Sequence, residues 1–411
     1  MKIMVQKYGG TSVAGPERMR KVLSRVTKGV EEGYKMIVVL SAMAGETNKL
    51  LSLAKEFSAC PDHGEMDALV ATGENVSISL FSMLAKANGL KARSLRAWQI
   101  PILTTDSHTK ARIISIDDKN LKAMLEDYDV LVVAGFQGVD CHGRITTLGR
   151  GGSDTSAVAL ACALQADRCQ IYTDVDGVFT TDPRVSSAAR KLDRISYDEM
   201  LELASLGSKV LQIRSVEFAK KYNVPVRVRS TFTDDPGTLV TQEDRAMMED
   251  LVISGIAYDR DQARVTVHKV ADTPGVAAAI FGAIAEKRIL VDMIIQNASR
   301  DGTTDMTFTV PKPDLDQTLA ILEGIQEKIR AKSVKHDTSV AKVSVVGVGM
   351  RNHSGVASTM FRALCDENIN IKLIATSEIK ITCLIDEKYV ELAVRALHTA
   401  FGLDKAQQTA C

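Results

Sequence analysis

The side chains best equipped for chemistry in this 411-residue chain are cations placed beside glycines. KYGGTSV (Lys7 to Val13) sets a lysine just ahead of Gly9 and Gly10, at the end of an apolar run. Backbone without side chains can approach a polyphosphate there, and the lysine adds a point charge. On spacing alone, the same letters also describe a tight strand-to-helix turn with a surface lysine. TTLGRGGSDTSAVALACAL (Thr146 to Leu164) carries more: Gly149, Gly151 and Gly152 surround Arg150, and Ser153 and Asp154 open a run of small apolar residues. A helix start offers free N–H groups and partial positive charge to an anion, and a guanidinium takes a carboxylate through two parallel hydrogen bonds. A simple cap by Ser153 or Asp154 would explain the helix start but not three glycines around an arginine. YTDVDGVFTTDPR (Tyr172 to Arg184) adds Asp174, Asp176, Asp182 and Arg184 in a turn-rich loop, which two plain turns would also explain. Its acidic spacing does not fit an EF-hand.

Other chemistries lack their residues. Gly10 to Gly15 has the glycine spacing of a P-loop, but Pro16 follows where Lys and Ser/Thr would be needed. GVGMRN at Gly347 lacks the third glycine of a dinucleotide loop, and the protein-kinase signatures are absent. The seven cysteines (Cys60, Cys141, Cys162, Cys169, Cys365, Cys383 and Cys411) form no C-x-x-C pair, and no histidine stands at metal spacing. We therefore expect reduced thiols, no resident metal site and a cytoplasmic location. No signal peptide and no run of about 18 apolar residues is read from the sequence. Lys plus Arg equals Asp plus Glu at 51 each, so no net field draws the chain to nucleic acid or membrane, and any anion must be bound locally.

These segments follow short apolar runs: Lys2 to Tyr8, Met36 to Ala42, Asp129 to Phe136, Cys169 to Val175 and Pro225 to Thr231. Helical patterns such as Pro16 to Gly29 and Glu65 to Asn88 lie between them. Continuous apolar strands alternating with helices indicate a mostly parallel sheet in a three-layer α/β/α arrangement, which binds ligands beyond the carboxyl ends of its strands. Turn formers and charge at 233–250 suggest a linker after a first domain of 1–232. Beyond it, Val265 to Ile294 and Val343 to Ile374 each read strand, loop, helix, strand, with Gly275-Val276 and Gly355-Val356 at matching junctions. Two copies of one α+β unit follow, at 251–338 and 339–411.

In order along the chain, KYGGTSV, SAMAGETN (Ser41 to Asn48), TGE (Thr72 to Glu74), GFQG (Gly135 to Gly138), TTLGRGGSDTSA and YTDVDGVFTTDPR resemble the aspartate kinases of the amino-acid-kinase fold. The C-terminal copies resemble that family's tandem ferredoxin-like ACT repeats. The resemblance implies ATP-dependent phosphorylation of the L-aspartate side chain, with magnesium carried by the ATP phosphates, as a first step towards lysine, threonine and methionine. It implies that Lys7 neutralises the transferring phosphoryl group, that Tyr8, Gly9, Gly10 and Ser41 line the phosphates, and that Thr173, Asp174, Asp182, Arg184, Lys209 and Val210 contact the nucleotide. Thr47, Glu74, Arg150, Gly151, Gly152 and Ser153 would hold aspartate, Glu74 at its ammonium and Arg150 at its α-carboxylate, with Asp154 orienting them. Tyr8 departs from the family's more usual Phe, with a ring expected only to pack. The reaction needs no general base, because a carboxyl of pKa about 3.9 is ionised at neutral pH. Its difficulty is bringing anion to anion, which cations and backbone dipoles relieve.

For the repeats, the resemblance implies amino-acid effectors, lysine and threonine, where repeats of two subunits meet in a homo-oligomer. Asp272, Thr273, Pro274, Gly275, Val276, Gln296 and Asn297 would form one site. His353, Ser354, Gly355, Val356, Asn370 and Ile371 would form its counterpart; plain dimerisation modules are the other reading. Met247 and Met248 stand where some relatives start a shorter regulatory subunit, and the ending at Cys411 implies a monofunctional enzyme. A kinase of the same fold acting on glutamate, N-acetylglutamate, carbamate or a nucleoside monophosphate, or a non-catalytic amino-acid sensor, are the rival readings.

Overall fold

A computed structural model of the chain describes residues 1–207, 210–243, 253–297 and 302–405, and these divide into two units. Of the described residues, the first unit takes 1–179, 191–205 and 210–243, and the second takes 180–190, 206–207, 253–297 and 302–405.

The first unit runs β1 (Lys2–Tyr8), α1 (Pro16–Glu31), β2 (Tyr34–Leu40), α2 (Glu46–Phe57), α3 (His63–Val70), α4 (Thr72–Ala87), β3 (Ala92–Leu95), β4 (Ile102–Thr104), β5 (Ile113–Ile116), α5 (Asp118–Asp127) and β6 (Val130–Ala134). It continues β7 (Gln137–Val139), β8 (Ile145–Thr147), α6 (Gly152–Leu164), β9 (Arg168–Thr173), β10 (Arg194–Ser196), α7 (Tyr197–Ser205), α8 (Ile213–Tyr222), β11 (Val226–Ser230) and β12 (Thr238–Thr241). Eight strands form one sheet in the order β10-β12-β11-β9-β1-β2-β6-β3, parallel except between β11 and β12. Strands buried on both faces need apolar residues at nearly every position, which is why β1, β2 and β6 read as continuous runs. Met4, Tyr8, Met36, Val38 and Leu40 join Val22 and Val26 of α1 and Ile78 and Phe81 of α4 in one core. The alternate residues Ile3, Val5, Ile37 and Val39 are buried towards the other layer, where α6 packs on β1, β2 and β9. A second sheet, β5-β4-β7-β8, carries the turns around 105–112 and 140–152.

Two expectations need adjustment. Within the 233–250 segment read as a linker, Thr238–Thr241 are instead β12, hydrogen-bonded between β10 and β11. The turn that precedes it is closed by Asp235, whose Oδ1 accepts from Gly237 N at 2.7 Å, and these turn formers hide a short strand. The helical pattern read at Glu65 to Asn88 is α3 and α4 running on through Ala71, helical at φ −62°, and the stretch proves long and apolar enough on average to cross a membrane. Half of it is buried inside the fold, and it carries the buried carboxylates Asp67 and Glu74, as a core helix does.

The second unit holds a six-stranded antiparallel sheet, β14-β15-β13-β16-β18-β17. Its elements are β13 (Gly255–Ala271), α9 (Val276–Glu286), β14 (Asp292–Gln296), β15 (Thr303–Pro311), α10 (Leu315–Ile325), β16 (Ser333–Val346), α11 (Val356–Asp366), β17 (Leu373–Thr376), β18 (Lys380–Asp386) and α12 (Val390–Ala400). The two halves have separate cores, one around Val265, Ile280, Phe308 and Leu322, the other around Val343, Met360, Cys383 and Leu397. The long strand β13 serves both: Ile256 lies in the second core and Val265 in the first. Each repeat's helix starts from a left-handed glycine of the same geometry, Gly275 at φ 98°, ψ −14° and Gly355 at φ 98°, ψ −12°.

Candidate active site

Along the carboxyl edge of the main sheet, Tyr8 is laddered to Leu40 and Tyr172, and Leu40 to Ala134. The turns after β1, β2, β6 and β9 therefore start from one line, with β1 at the point where connections leave in opposite directions. Lys7, at the end of β1 on the α6 side, places Nζ 2.6 Å from Asp154 Oδ1 in the first turn of α6. Asp154 Oδ2 accepts from the backbone N of Gln212 at 3.4 Å. The cation is thus fixed at a helix start, and both add positive potential at one spot.

The glycines fit neighbouring backbone. A Cβ on Gly10 would stand 2.6 Å from the carbonyl oxygen of Ala42 and 3.1 Å from the nitrogen of Ala44, so only glycine lets the two turns touch. Ser41 N donates to Tyr8 O at 3.1 Å, and Ala44 N donates to Gly10 O at 3.2 Å. Gly151 is left-handed at φ 73°, and a Cβ there would meet Gln212 Cγ at 2.6 Å. The GRGG turn is therefore closed against α8 as well as α6. Arg150 itself is exposed, Ser153 is buried, and Gly152 begins α6. Thr47 lies half-buried in the first turn of α2.

Glu74 has the most unusual surroundings. It is 3 % exposed; Oε1 accepts from Ala42 N at 2.9 Å, and Oε2 is buried with no hydrogen-bond partner. Burial raises its pKa to about 7, against the opposing pull of the Ala42 amide. A buried acceptor left open costs free energy, on the order of 1–3 kcal/mol, unless something donates to it. An ammonium group would supply that donor.

Not every expected residue joins this cluster. Tyr8 has no side-chain atom to offer a ligand. Its ring is fully buried and stacked on Tyr172 with centroids 4.7 Å apart, and its hydroxyl donates to Gln6 Oε1 at 3.0 Å, so the ring does more than pack. Thr173 donates to Asp174 at 3.0 Å at the end of β9, with Asp174 exposed. Asp182 and Arg184 belong to the second unit. There the Arg184 guanidinium grips Asp182 through two bonds of 3.0 and 2.8 Å and holds its carboxyl below the usual range, while Tyr258 Oη donates to it at 3.1 Å. Val210 is half-buried just before α8, and Lys209 lies outside the described residues.

In the second unit, Asp272, Thr273, Pro274 and Gly275 form an exposed loop into α9, and Gln296 and Asn297 are exposed at the end of β14. Thr304 Oγ1 donates to the carbonyl of Asn297. In the second repeat, His353, Ser354 and Gly355 are exposed at the start of α11, Val356 is buried, and Asn370 and Ile371 precede β17. Met247, Met248 and Cys411 lie outside the described residues.

Comparison with known proteins agrees with this geometry. The model of the amino acid kinase family matches residues 2–230, more than half of the chain, and that of the ACT domain matches 266–324 and 343–401. The chain belongs to the amino acid kinase family. Within it the chain groups with the aspartate kinases: it is 57% identical over 404 residues to the aspartate kinase of Pseudomonas putida, across 98% of both chains. Among solved structures it is similar to E. coli aspartokinase III in complex with aspartate and ADP (R-state), at TM-score 0.80, 28% identity, and 97% and 99% of the two chains. The lysine and aspartate complex of the same E. coli enzyme (T-state) follows at TM-score 0.75 and 28% identity over the same shares.

Two residues of this amino-acid-kinase site went unread in the sequence. Gln212 caps α8, and its side chain also takes a hydrogen bond from Thr155 at 3.2 Å and packs on Gly151, so it joins α8 to the GRGG turn from 58 residues beyond Asp154. Phe136 adopts a left-handed φ of 69°, with its N–H on Ser156 Oγ at 3.1 Å and its carbonyl on Leu148 N at 2.8 Å. A bulky residue at positive φ is strained and persists where neighbours hold it. The flanking glycines of GFQG were the signal for the turn, though not for the role of the phenylalanine.

Proposed function

We propose that this chain transfers the γ-phosphoryl group of ATP to the side-chain carboxylate of L-aspartate, giving 4-phospho-L-aspartate and ADP. The observation that carries the reading is the open, buried Oε2 of Glu74, whose Oε1 holds the amide of Ala42, the residue whose carbonyl oxygen presses on Gly10. It asks for an ammonium beside a phosphate site, which an amino-acid acceptor provides. Lys7, with Asp154 orienting it, spreads the charge of the moving phosphoryl group, the N–H groups of Gly9 and Gly10 with Ser41 line the phosphates, and Arg150 in its glycine turn takes the α-carboxylate. Thr47, Gly151, Gly152 and Ser153 complete the acceptor side, and Thr173, Asp174, Lys209 and Val210 the nucleotide side. Magnesium carried on the ATP phosphates would supply charge neutralisation there.

Catalysis would reside in the unit that carries the eight-stranded sheet, and sensing in the repeats of 251–338 and 339–411. The structurally similar E. coli aspartokinase III binds lysine in its T-state complex, which supports lysine as an effector here. Threonine would be its companion, and the chain would work as a cytoplasmic homo-oligomer. A shorter regulatory subunit started near Met247 or Met248 would fit the same scheme. The reaction would open the route to lysine, threonine and methionine. Coupled ADP-release assays with L-aspartate, glutamate, N-acetylglutamate, carbamate and UMP test the reading: turnover confined to an acceptor other than aspartate would overturn it.

A further inference from the structure

We propose that Asp67 is a positioning residue that sets the spacing between the ammonium-reading and carboxylate-reading ends of the acceptor site. The inference rests on the roles of Glu74 and Arg150 given above. Asp67 is 1 % exposed, and four groups converge on its carboxylate. Thr109 N donates to Oδ2 at 2.9 Å, Thr147 N to Oδ2 at 3.0 Å and Thr147 Oγ1 to Oδ1 at 2.5 Å, while His108 Nδ1 lies 3.0 Å from Oδ2. A carboxyl meets these groups with two acceptor oxygens, whereas an amide in its place would offer one acceptor oxygen and set two donors against them.

What Asp67 joins gives it a specific consequence. It lies seven residues before Glu74 in the nearly continuous helix of α3 and α4, hence on the same face and about 10 Å away along the axis. Thr147 stands three residues before Arg150. The turn at 149 rests on the other segment Asp67 holds, since a Cβ on Gly149 would stand 3.1 Å from Thr109 O. Arg214 of α8 closes the far side by donating to Leu148 O at 2.6 Å and Ala111 O at 2.9 Å. One rigid helix therefore carries the group that reads the ammonium and, two turns earlier, the group that anchors the loop bearing Arg150. Loosening the anchor alters the distance between the two readers without touching Lys7, Gly9 or Gly10.

Steady-state kinetics of the full chain carrying Asp67→Asn, and separately Thr147→Val, test this against the unmodified protein. The expected result is a KM for L-aspartate raised at least tenfold by Asp67→Asn and about threefold by Thr147→Val, with KM for ATP and kcat within twofold. The preference for L- over D-aspartate should narrow in parallel, because both readers judge the α-carbon. Aspartate KM values within twofold of the unmodified chain, or parallel losses in aspartate KM, ATP KM and kcat, would overturn the proposal. Should Asp67→Asn fail to fold, Thr147→Val, which removes only the hydroxyl bond, decides on the same terms. Unmodified protein that phosphorylates aspartate beside an indifferent Asp67→Asn defeats the anchor alone, whereas no aspartate turnover in the unmodified protein defeats both readings.

Discussion

Lys7 Nζ sits 2.6 Å from Asp154 Oδ1, with only 12% of one side chain and 10% of the other exposed. The pair joins the end of the central strand to the start of α6, so the charge proposed to meet the phosphoryl group is anchored before any substrate arrives. Preorganised charge of this kind costs no rearrangement in the transition state.

Replacing Lys7 by alanine should lower kcat by about 100- to 1,000-fold, the usual scale for losing one preorganised stabilising group. It also leaves Asp154 buried without its cation, so the unfolding midpoint should fall. Stopped assays together with thermal melts check both effects, and a loss of only twofold in kcat would remove Lys7 from the mechanism.

Glu74 gives a pH signature. With its pKa raised to about 7, the unoccupied site carries a neutral carboxyl below that pH and a carboxylate above it. Because kcat/KM reports groups of the free enzyme, kcat/KM for aspartate should fall about tenfold per unit below pH 7 and level off above pH 8. Glu74→Gln should be less active and flat across that range. The same shift governs stability: between 4.5 and about 7 the native state keeps a proton that the unfolded chain has lost. Stability should therefore decline as pH rises through that window, and Glu74→Gln should abolish that part of the slope.

Gly10→Ala tests the contact between the turns that follow β1 and β2. The new methyl would stand 2.6 Å from Ala42 O, so the Ser41 to Ala44 turn must retreat. A displacement of about 1 Å can cost about 100-fold in rate, and we expect a loss of that order in kcat/KM for ATP with the melting temperature nearly unchanged. An alanine variant of full activity would show that the turns need not touch.

For the repeats, lysine and threonine added together should inhibit turnover and raise the melting temperature, and Asp272→Ala should raise the inhibitory concentration about tenfold, within the usual range of allosteric coupling. Unchanged activity and melting behaviour across a full titration would leave the repeats without these effectors.

Much of this arrangement was legible because its signals are local. A strand end followed by two glycines located Lys7, Gly9 and Gly10, a glycine-flanked arginine before a small-residue helix located Arg150 and Asp154, and the paired Gly-Val junctions reappear as Gly275 and Gly355 with nearly identical dihedrals. What stayed hidden depends on contacts between distant residues. Gln212 reaches Asp154 over 58 positions, Asp67 reaches Thr147 over 80, and neither has a neighbouring motif. Tyr258 on Asp182, and the passage of β13 through both repeat cores, likewise appear only once strands pair. The short β12 was concealed because turn formers and charge dominate the letters around it.

The most direct test of the central claim is hydroxylamine trapping of the product formed from L-aspartate, ATP and magnesium by the purified chain. If fixed cations and glycine turns let the two anions meet, the side-chain hydroxamate of aspartate accumulates in step with ADP. ADP released without hydroxamate, or neither product, would contradict that account.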